Sequence, residues 1–247
     1  MTPTILIIGS TSGMAKAVAR CYAKRKARLL LTARNGEEAE RQAADAKVRG
    51  AQEAHGIAFD PSNEDNHAAF LATLRTLAPE GPHIVLIAYG TMASQSEAQE
   101  NPAAAAHQIQ VNFTSVVLLG EALYPLMPKG STLAVISSVA GDRGRQSNYL
   151  YGSTKAGLSA WLEGLRNRAF HDGKHILTIK PGFVATPMTA GLLKEGSPLV
   201  ATPEQVAIDI VNAIDRRKDI LYTRWFWWII MAIITRIPEG IFKKLRL

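Results

Sequence analysis

The stretch TILIIGSTSGMAKAVARCYAK, residues 4–24, predicts the fold. It contains a short apolar and β-branched run, then a turn of small residues, then a helical pattern that ends at Lys24. A strand that leads through a glycine-rich turn into a helix is typical of the first unit of a doubly wound α/β sheet. Such a turn lets the main chain approach a pyrophosphate, and the helix N-terminus offers unpaired N–H donors. The candidate nucleotide contacts in this stretch are Gly9, Ser12, Gly13 and Met14.

Further apolar and β-branched runs follow, with helical patterns between them. They are residues 28–32, 55–59, 83–88, 132–137, 175–180 and 219–223. Because the runs are apolar almost throughout, both faces of each strand are expected to be covered, as in a parallel sheet. The sequence therefore predicts a single α/β domain with a doubly wound parallel sheet (Rossmann fold) over residues 1–223, followed by an apolar and basic C-terminal extension over residues 224–247. Residues 188–205, rich in Gly, Pro and Thr, are either a surface loop or a substrate lid.

Composition and charge narrow the class of protein. The 247 residues carry a net charge of +7, and residues 216–247 hold eight of the basic residues against two acidic ones. These cations are interleaved with Trp, Ile and Leu, which favours an anionic membrane surface over nucleic acid. The start lacks the features of a secretion signal, so a cytoplasmic location is expected. Cys21 is interpreted as a buried, inert thiol, and no histidine has the spacing of a metal site, so no metal is expected.

The end of the second predicted strand distinguishes between dinucleotides. An acid at this position would bind a ribose 2′-hydroxyl and exclude a 2′-phosphate. Here Ala33 stands in that place and Arg34 follows, which favours NADP(H) over NAD(H). The alternative is that Arg34 is a solvated residue at a helix start. Asp60, just after the third strand, is a candidate for bonding the adenine ring, although a cap or turn role also fits.

The segment ISSVAG…YGSTKAGL carries the candidate chemistry. Ser138 follows the fifth strand, and Tyr151 and Lys155 are four residues apart, so on a helix they share one face. Reduction of a carbonyl by hydride needs a proton donor at the developing alkoxide, but a free phenol has a pKa of about 10. The neighbouring ammonium of Lys155, together with the positive nicotinamide ring of the oxidised cofactor, is expected to lower the pKa of Tyr151. The Ser138 hydroxyl can stabilise charge at the substrate oxygen. Tyr149 is a rival phenol, but it lacks a lysine four residues on.

These motifs together resemble the classical short-chain dehydrogenase/reductase family. Gly9, Gly13 and Ala15 match its glycine pattern, and Ser138, Tyr151 and Lys155 match its catalytic serine, tyrosine and lysine. Asn112 matches the asparagine that, in the family, helps to hold a water beside the lysine. The segment KPGFVATPM matches the family's nicotinamide-contacting segment, which implies cofactor contacts at Pro181, Gly182, Val184 and Thr186. The resemblance implies an NADPH-dependent carbonyl reductase that forms homodimers or homotetramers.

One departure from the family pattern points to a subgroup. After the fourth strand the family usually has Asn-Asn-Ala-Gly, whereas this chain has IAYG, so backbone groups of Ala88 and Gly90 are expected to line the cofactor without that asparagine. This departure, the basic loop GDRGR (141–145) and the C-terminal IPEGIFKKL are similar to features of the decaprenylphosphoryl-2-keto-erythro-pentose reductase subgroup. A lipid-linked keto-sugar is therefore the substrate class that the resemblance implies. Arg143 and Arg145 either hold a lipid phosphate near the site or belong to a solvated loop.

Other functions stay open at this stage. A 3-oxoacyl or steroid-like ketone is the alternative substrate, and a non-catalytic nucleotide-binding partner subunit is the alternative to an enzyme. Such subunits commonly lose the tyrosine or the lysine, and this chain keeps both.

The extension raises a further alternative. As a helix, the apolar run 225–234 would cover about 15 Å, roughly half of a bilayer's hydrocarbon core, so it is too short to span a membrane. Three Trp residues and interleaved cations are typical of a segment that lies on an anionic surface, which implies peripheral association. The other interpretation is a subunit interface.

Overall fold

The computed structural model describes residues 2–189 and 197–245. Its strands are β1 (Thr4–Ile8), β2 (Arg28–Ala33), β3 (Glu53–Ala58), β4 (Ile84–Ile87), β5 (Thr132–Ile136), β6 (His175–Pro181), β7 (Phe183–Val184), β8 (Val200–Ala201) and β9 (Ile220–Thr223). Its α-helices are α1 (Gly13–Lys24), α2 (Gly36–Val48), α3 (His67–Leu77), α4 (Gln95–Glu100), α5 (Pro102–Ile109), α6 (Ser115–Leu123), α7 (Tyr149–His171), α8 (Pro203–Asp215), α9 (Phe226–Arg236) and α10 (Glu239–Phe242). The seven runs predicted as strands all form strands, with ends shifted by at most two residues.

Seven parallel strands form the main sheet in the order β3-β2-β1-β4-β5-β6-β9. The chain builds outward from β1 to β3 and then returns to add β4 on the other side of β1. In such a sheet, ligands bind at the carboxyl ends of the strands where this reversal occurs. The predicted doubly wound fold is therefore confirmed, and its crevice lies beyond Ile8 and Ile87.

Two apolar layers cover the two faces of this sheet. Along β1, Ile5 and Ile7 belong to the core layer that contains Val18 of α1, whereas Leu6 and Ile8 belong to the opposite layer. All four β1 residues are fully buried. Because neighbouring residues of a strand point to opposite faces, an uninterrupted apolar run is what a strand buried on both sides requires.

The continuous helical run Pro102–Leu126 is long and apolar enough, by length and composition, to cross a membrane. It has the contacts of a core helix, however. Val116, Leu119 and Leu123 are buried in the layer that contains Leu6, and Asn112 is fully buried. A π-helical turn, Gln110–Thr114, interrupts the run between α5 and α6.

The C-terminal extension is packed onto the domain through one face of α9. Trp227 and Met231 are buried in a cluster with Val139, which directly follows Ser138. A Cβ atom on Gly182 would lie 2.0 Å from the Trp227 indole, so only glycine permits this approach. The opposite face of α9 stays exposed, with Trp228 and Ile233 at 60% and 63% exposure. α9 has eleven residues, too few to span a bilayer, as the sequence predicts.

Candidate active site

The turn after β1 lies at the sheet crevice. Gly9 has φ +80°, and a Cβ atom on it would lie 2.7 Å from Cβ of Tyr89, so glycine is required here. Ser12 is the N-cap of α1, and its Oγ accepts a hydrogen bond from the Ala15 amide. The amides of Gly13 and Met14 lie in the first helical turn, where N–H groups have no partner within the helix. This end of α1 can therefore receive an anion.

Arg34 and Asp60 follow the ends of β2 and β3. Ala33 is buried, whereas Arg34 is exposed and forms no hydrogen bond or ion pair with any residue in the described ranges. Asn35, not Arg34, caps α2. Asp60 Oδ1 accepts from the amide and hydroxyl of Ser62, so the turn role weighed for this carboxylate is the one observed. Arg34 stays available to a cofactor phosphate.

Ser138 and Tyr151 are brought together by close packing of the loop after β5 on α7. Ser138 begins a helical turn, Val139–Gly141, and its Oγ accepts from the Ala140 amide at 3.1 Å. A Cβ atom on Gly152 would lie 2.8 Å from the Ala140 carbonyl oxygen. A larger residue at Gly152 would push this loop away from the first turn of α7. The glycine after Tyr151 therefore allows Ser138 to approach the phenol.

Tyr151 and Lys155 share one face of α7, as their spacing predicts. Lys155 Nζ lies 5.8 Å from the centre of the Tyr151 ring and donates to the Ile136 carbonyl at 3.0 Å. Lys155 is only 3% exposed, and burial lowers its pKa from 10.5 to about 8. The lysine is thus a buried cation at the carboxyl end of β5.

Burial also acts on the phenol, and the lowering of its pKa expected beside Lys155 and an oxidised nicotinamide ring stays a prediction for the cofactor complex. Loss of solvent raises the pKa of Tyr151 from 10.0 to about 12, and the Ser138 hydroxyl offsets only part of that effect. Desolvation, which disfavours the phenolate, is the main cause of this shift, and Lys155 is not among its causes in the protein chain. At neutral pH Tyr151 carries its proton.

Asn112 lies in the π-helical turn, near Lys155. Its Oδ1 accepts from the Thr91 amide at 2.8 Å, and its Nδ2 donates to the Thr91 carbonyl at 2.7 Å. A Cβ atom on Gly90 would lie 3.0 Å from Asn112 Oδ1 and 3.7 Å from Lys155 Nζ. Asn112 thus holds the chain beside Gly90 and Lys155. The resemblance to the family did not predict these two hydrogen bonds between Asn112 and Thr91.

Tyr89 occupies part of the segment that departs from the family pattern. Its hydroxyl lies 2.9 Å from Ser115 Oγ, and its ring packs on the core layer beneath α6. The Ala88 amide pairs with the Ile8 carbonyl at 2.9 Å, so β4 stays tied to β1 without the missing asparagine. The departure from the family pattern draws attention to Tyr89 in the sequence, but it does not indicate the contact between Tyr89 and Gly9.

The segment after β6 returns to the nucleotide turn. Thr186 lies against Gly13, where an added Cβ atom would be 3.4 Å from Thr186 Cγ2. The Gly182 amide donates to the Thr223 carbonyl at 3.1 Å, and Val184 pairs with Ala201. Pro181 ends β6. The central residues predicted for the lid, 190–196, lie outside the described residues.

The Arg143 guanidinium is engaged by protein partners, which neither of the two sequence interpretations predicted. Its Nη1 donates to the carbonyls of Ile234, Thr235 and Ile237, and its Nη2 pairs with Glu239 at 2.9 Å. Its guanidinium also lies 3.8 Å from the centre of the Phe242 ring. The residue therefore caps α9. It links the extension to the loop after Ser138.

Arg145, two residues on, behaves differently. Its Nε is buried without a hydrogen-bond partner among the described residues, and burial lowers its pKa. Asn148 Oδ1 and Gln95 Nε2 are likewise buried and unpaired, and Gln95 Oε1 accepts from the Leu150 amide beside Tyr151. Unpaired polar atoms are costly to bury. Of these three residues only Arg145 was a candidate from the sequence, because Gln95 lies far from Arg145 along the chain.

Two other expectations concern the rival phenol Tyr149 and the possibility of a metal site. The hydroxyl of the rival phenol Tyr149 accepts from Gln99 Nε2 at 2.7 Å, and its side chain is 42% exposed. Within residues 2–189 and 197–245, no cluster of three His, Cys, Asp or Glu side chains has the arrangement of a metal site.

Known proteins resemble this chain over its whole length. A family model described as short chain dehydrogenase matches residues 3–196. An uncharacterized oxidoreductase of Streptomyces coelicolor is 31% identical over 98% of this chain and 95% of its own length. An uncharacterized oxidoreductase of Mycobacterium tuberculosis is also 31% identical, over 98% of this chain and 96% of its own length. A ketoacyl reductase of Nostoc sp. is 29% identical over 87% of this chain and 76% of its own length.

A solved structure shares the fold. A short-chain dehydrogenase from Sphingobium yanoikuyae in complex with NADPH superposes with a TM-score of 0.80, covering 96% of this chain and 97% of that chain. The two sequences are 21% identical, so the likeness concerns the architecture.

Proposed function

Because the chain belongs to the short-chain dehydrogenase family of NAD(P)-dependent oxidoreductases, we propose that it reduces a carbonyl group with NADPH. The observation that carries this proposal is the closeness of three side chains beyond the carboxyl end of β5: Lys155 lies beside the Tyr151 ring, and the Ser138 hydroxyl forms a hydrogen bond with the Tyr151 phenol. Retention of all three argues against the non-catalytic partner subunit.

The nucleotide turn fits a dinucleotide. Gly9 brings the main chain close to the crevice, and the first turn of α1 presents the Gly13 and Met14 amides to a pyrophosphate. Thr186 lies across the crevice from Gly13. The bound cofactor would supply a hydride.

The preference for NADPH rests on Arg34. It follows Ala33 at the end of β2, is exposed, and has no partner among residues 2–189 and 197–245. An unpaired guanidinium suits the 2′-phosphate of NADP(H), whereas no carboxylate stands there to bind the 2′-hydroxyl of NAD(H). The complex of the Sphingobium enzyme with NADPH agrees with this preference.

The chain's own residues supply the proton. Tyr151, whose pKa burial raises to about 12, is a phenol that keeps its proton at neutral pH and can donate it to the developing alkoxide. Ser138 can donate a hydrogen bond to the same oxygen. Lys155 stays beside the ring, where its charge stabilises the phenolate that remains after proton transfer. Asn112 keeps the Gly90–Thr91 backbone in place beside this lysine.

The proposed substrate is a lipid-linked keto-sugar. This choice rests on the subgroup resemblance and on Arg145, whose buried Nε is without a partner in the described part of the chain. Gln95 Nε2 and Asn148 Oδ1, on residues that contact or precede the first turn of α7, are likewise without a partner there, and such donors and acceptors suit a phosphorylated, hydroxyl-rich molecule. The ketoacyl reductase relative favours a 3-oxoacyl thioester as the second candidate.

A lipid-linked substrate agrees with a peripheral contact between the extension and a membrane. The exposed face of α9 presents Trp225, Trp228, Ile229 and Ile233, and Arg236 follows on the same side. Aromatic and basic residues together suit the headgroup boundary of an anionic bilayer. Homodimers or homotetramers are proposed on family resemblance alone.

NADPH oxidation by the purified protein across a carbonyl panel tests the proposed function. The panel contains a polyprenyl-phosphate keto-pentose, a 3-oxoacyl thioester and a ketosteroid, each with and without anionic vesicles. We expect turnover with the keto-pentose, and a faster rate on vesicles. Turnover with the thioester alone would make the 3-oxoacyl thioester the substrate in place of the keto-sugar. Absence of NADPH oxidation with every carbonyl would overturn the proposal that the protein is a reductase.

A further inference from the structure

A pocket of about 420 Å³ lies at the outer edge of β9, between α8 and the start of α9. It is separate from the group around Tyr151. The side chains that matter for its chemistry are Asp209, Arg216, Lys218, Arg224, Trp225 and Trp228. Its apolar wall includes Ile220, which is 47% exposed on this edge strand.

The charge in this pocket is positive. Arg224 Nη1 lies 3.8 Å from Asp209 Oδ2, so the one acid that lines the pocket has a basic partner. Arg216 and Lys218 are exposed and form no ion pair with any residue that the structure describes. The charge of Lys218 also acts on the Asp209 carboxyl, but three cations against one acid leave the pocket positive, in a concave site of suitable size for a headgroup.

The pocket also borders the surface proposed to meet the membrane. Trp225 and Trp228 line it, and they are 68% and 60% exposed on the apolar face of α9. If α9 lies at the headgroup boundary, the mouth of the pocket lies at the depth of lipid phosphates. An isologous dimer through this face would instead bring Arg216 and Lys218 towards their own copies, and like charges oppose that contact.

We propose that this pocket binds the phosphate headgroup of an anionic phospholipid through Arg216 and Lys218, with Trp225 and Trp228 at the acyl boundary. The inference rests on the proposed membrane contact and extends it. It gives the extension a specific lipid site in addition to a diffuse attraction.

A matched pair of double variants separates a site from net charge. Arg216→Gln/Lys218→Gln removes the free pocket cations, and Arg236→Gln/Lys243→Gln removes the same charge from the extension outside the pocket. Vesicle flotation compares phosphatidylcholine alone with phosphatidylcholine containing phosphatidylglycerol. We expect the pocket variant to lose affinity for the anionic vesicles by at least about tenfold more than the control variant, the equivalent of one charge-assisted hydrogen bond.

Three results would overturn the headgroup site. Equal losses in the two variants would mean that the cations act only through net charge. Loss of an oligomer in the pocket variant, seen by light scattering, would assign the pocket to an interface between copies. No flotation of the unaltered protein would remove the membrane contact itself. NADPH oxidation with a water-soluble ketone, measured on the same samples, keeps each of these failures distinct from failure of the reductase.

Discussion

At the scale of single residues, burial shifts the pKa values of Tyr151 and Lys155 towards their neutral forms, although Lys155 stays a cation at neutral pH. Burial raises the pKa of the phenol to about 12 and lowers the pKa of the ammonium to about 8. The motif predicted which residues meet, because a four-residue spacing fixes one helix face. It did not predict that desolvation would raise the pKa of the phenol in the protein chain, because burial is a property of the whole fold.

Tyr151→Phe tests the proton donor. Without the hydroxyl, turnover with any reducible ketone is expected to fall by about 10² to 10⁴, the usual contribution of a general acid. NADPH affinity, measured by fluorescence titration, should stay nearly unchanged. Tyr149→Phe is the matched control, because that phenol is exposed and bonded to Gln99. Full activity in the Tyr151 variant would remove it from the chemistry.

Burial of Lys155 is expected to lower the free energy of unfolding at pH values where the lysine is charged. Its pKa falls from 10.5 to about 8 on folding, so below pH 8 both states hold the proton and the penalty is about 3 kcal/mol. Between the two values the unfolded chain alone holds it, so stability rises with pH. Lys155→Met should therefore raise the free energy of unfolding at pH 7 and abolish turnover, with the gain shrinking towards pH 10.5. Urea melts at several pH values measure this, and a pH-independent difference would contradict it.

Arg34→Glu tests the cofactor preference. Loss of a guanidinium that bonds the 2′-phosphate is expected to weaken NADPH by about ten- to a hundredfold and to leave NADH little changed. Lys47→Glu makes the same charge change at the far end of α2. If the ratio of NADPH to NADH affinities is the same in both variants, Arg34 does not contact the phosphate.

At the scale of elements, the strands were predictable and the attachment of α9 was not. The burial of a strand can be predicted from its own apolar run, whereas the hydrogen bond between Arg143 and Ile234 joins residues 91 apart in the sequence. The sequence singles out both the GDRGR loop and the apolar run 225–234, but only the fold shows that Arg143 of the loop caps α9. The contact of Gly182 with Trp227 was equally unpredictable, because it joins two segments that are far apart in the sequence.

Arg143→Ala is expected to loosen α9. The change leaves three carbonyls at the end of this helix without their donor and removes the guanidinium from the Phe242 ring. We expect the free energy of unfolding to fall by about 2 kcal/mol. Arg49→Ala is the control, because its ion pair with Asp45 is exposed at both side chains and should contribute less than about 1 kcal/mol. Equal losses in urea melts would show that Arg143 is no more than a surface residue.

At the scale of the whole molecule, the contacts of α9 predict that the extension and the domain unfold together. Its buried face shares a cluster with Val139, beside Ser138, and Asp142 in the same loop accepts from Tyr222 of β9 and from Lys180 of β6. The division of the sequence at residue 223 therefore marks a change of composition, and we propose one cooperative unit. Deletion after Thr223 would uncover part of this cluster, so Trp225→Ser/Trp228→Ser is the better test of membrane contact.

Cooperative unfolding can be followed because three of the four Trp residues lie in the extension. In a Trp161→Phe variant, all Trp fluorescence reports the extension, whereas far-ultraviolet circular dichroism reports the whole fold. The two urea transitions are expected to coincide, as they do for a two-state domain. The Trp161→Phe variant should first match the unaltered chain by circular dichroism, because Trp161 packs beside Gly120. A fluorescence transition at lower urea would mean that α9 detaches first, and its packing would then not hold the loop after Ser138 in place.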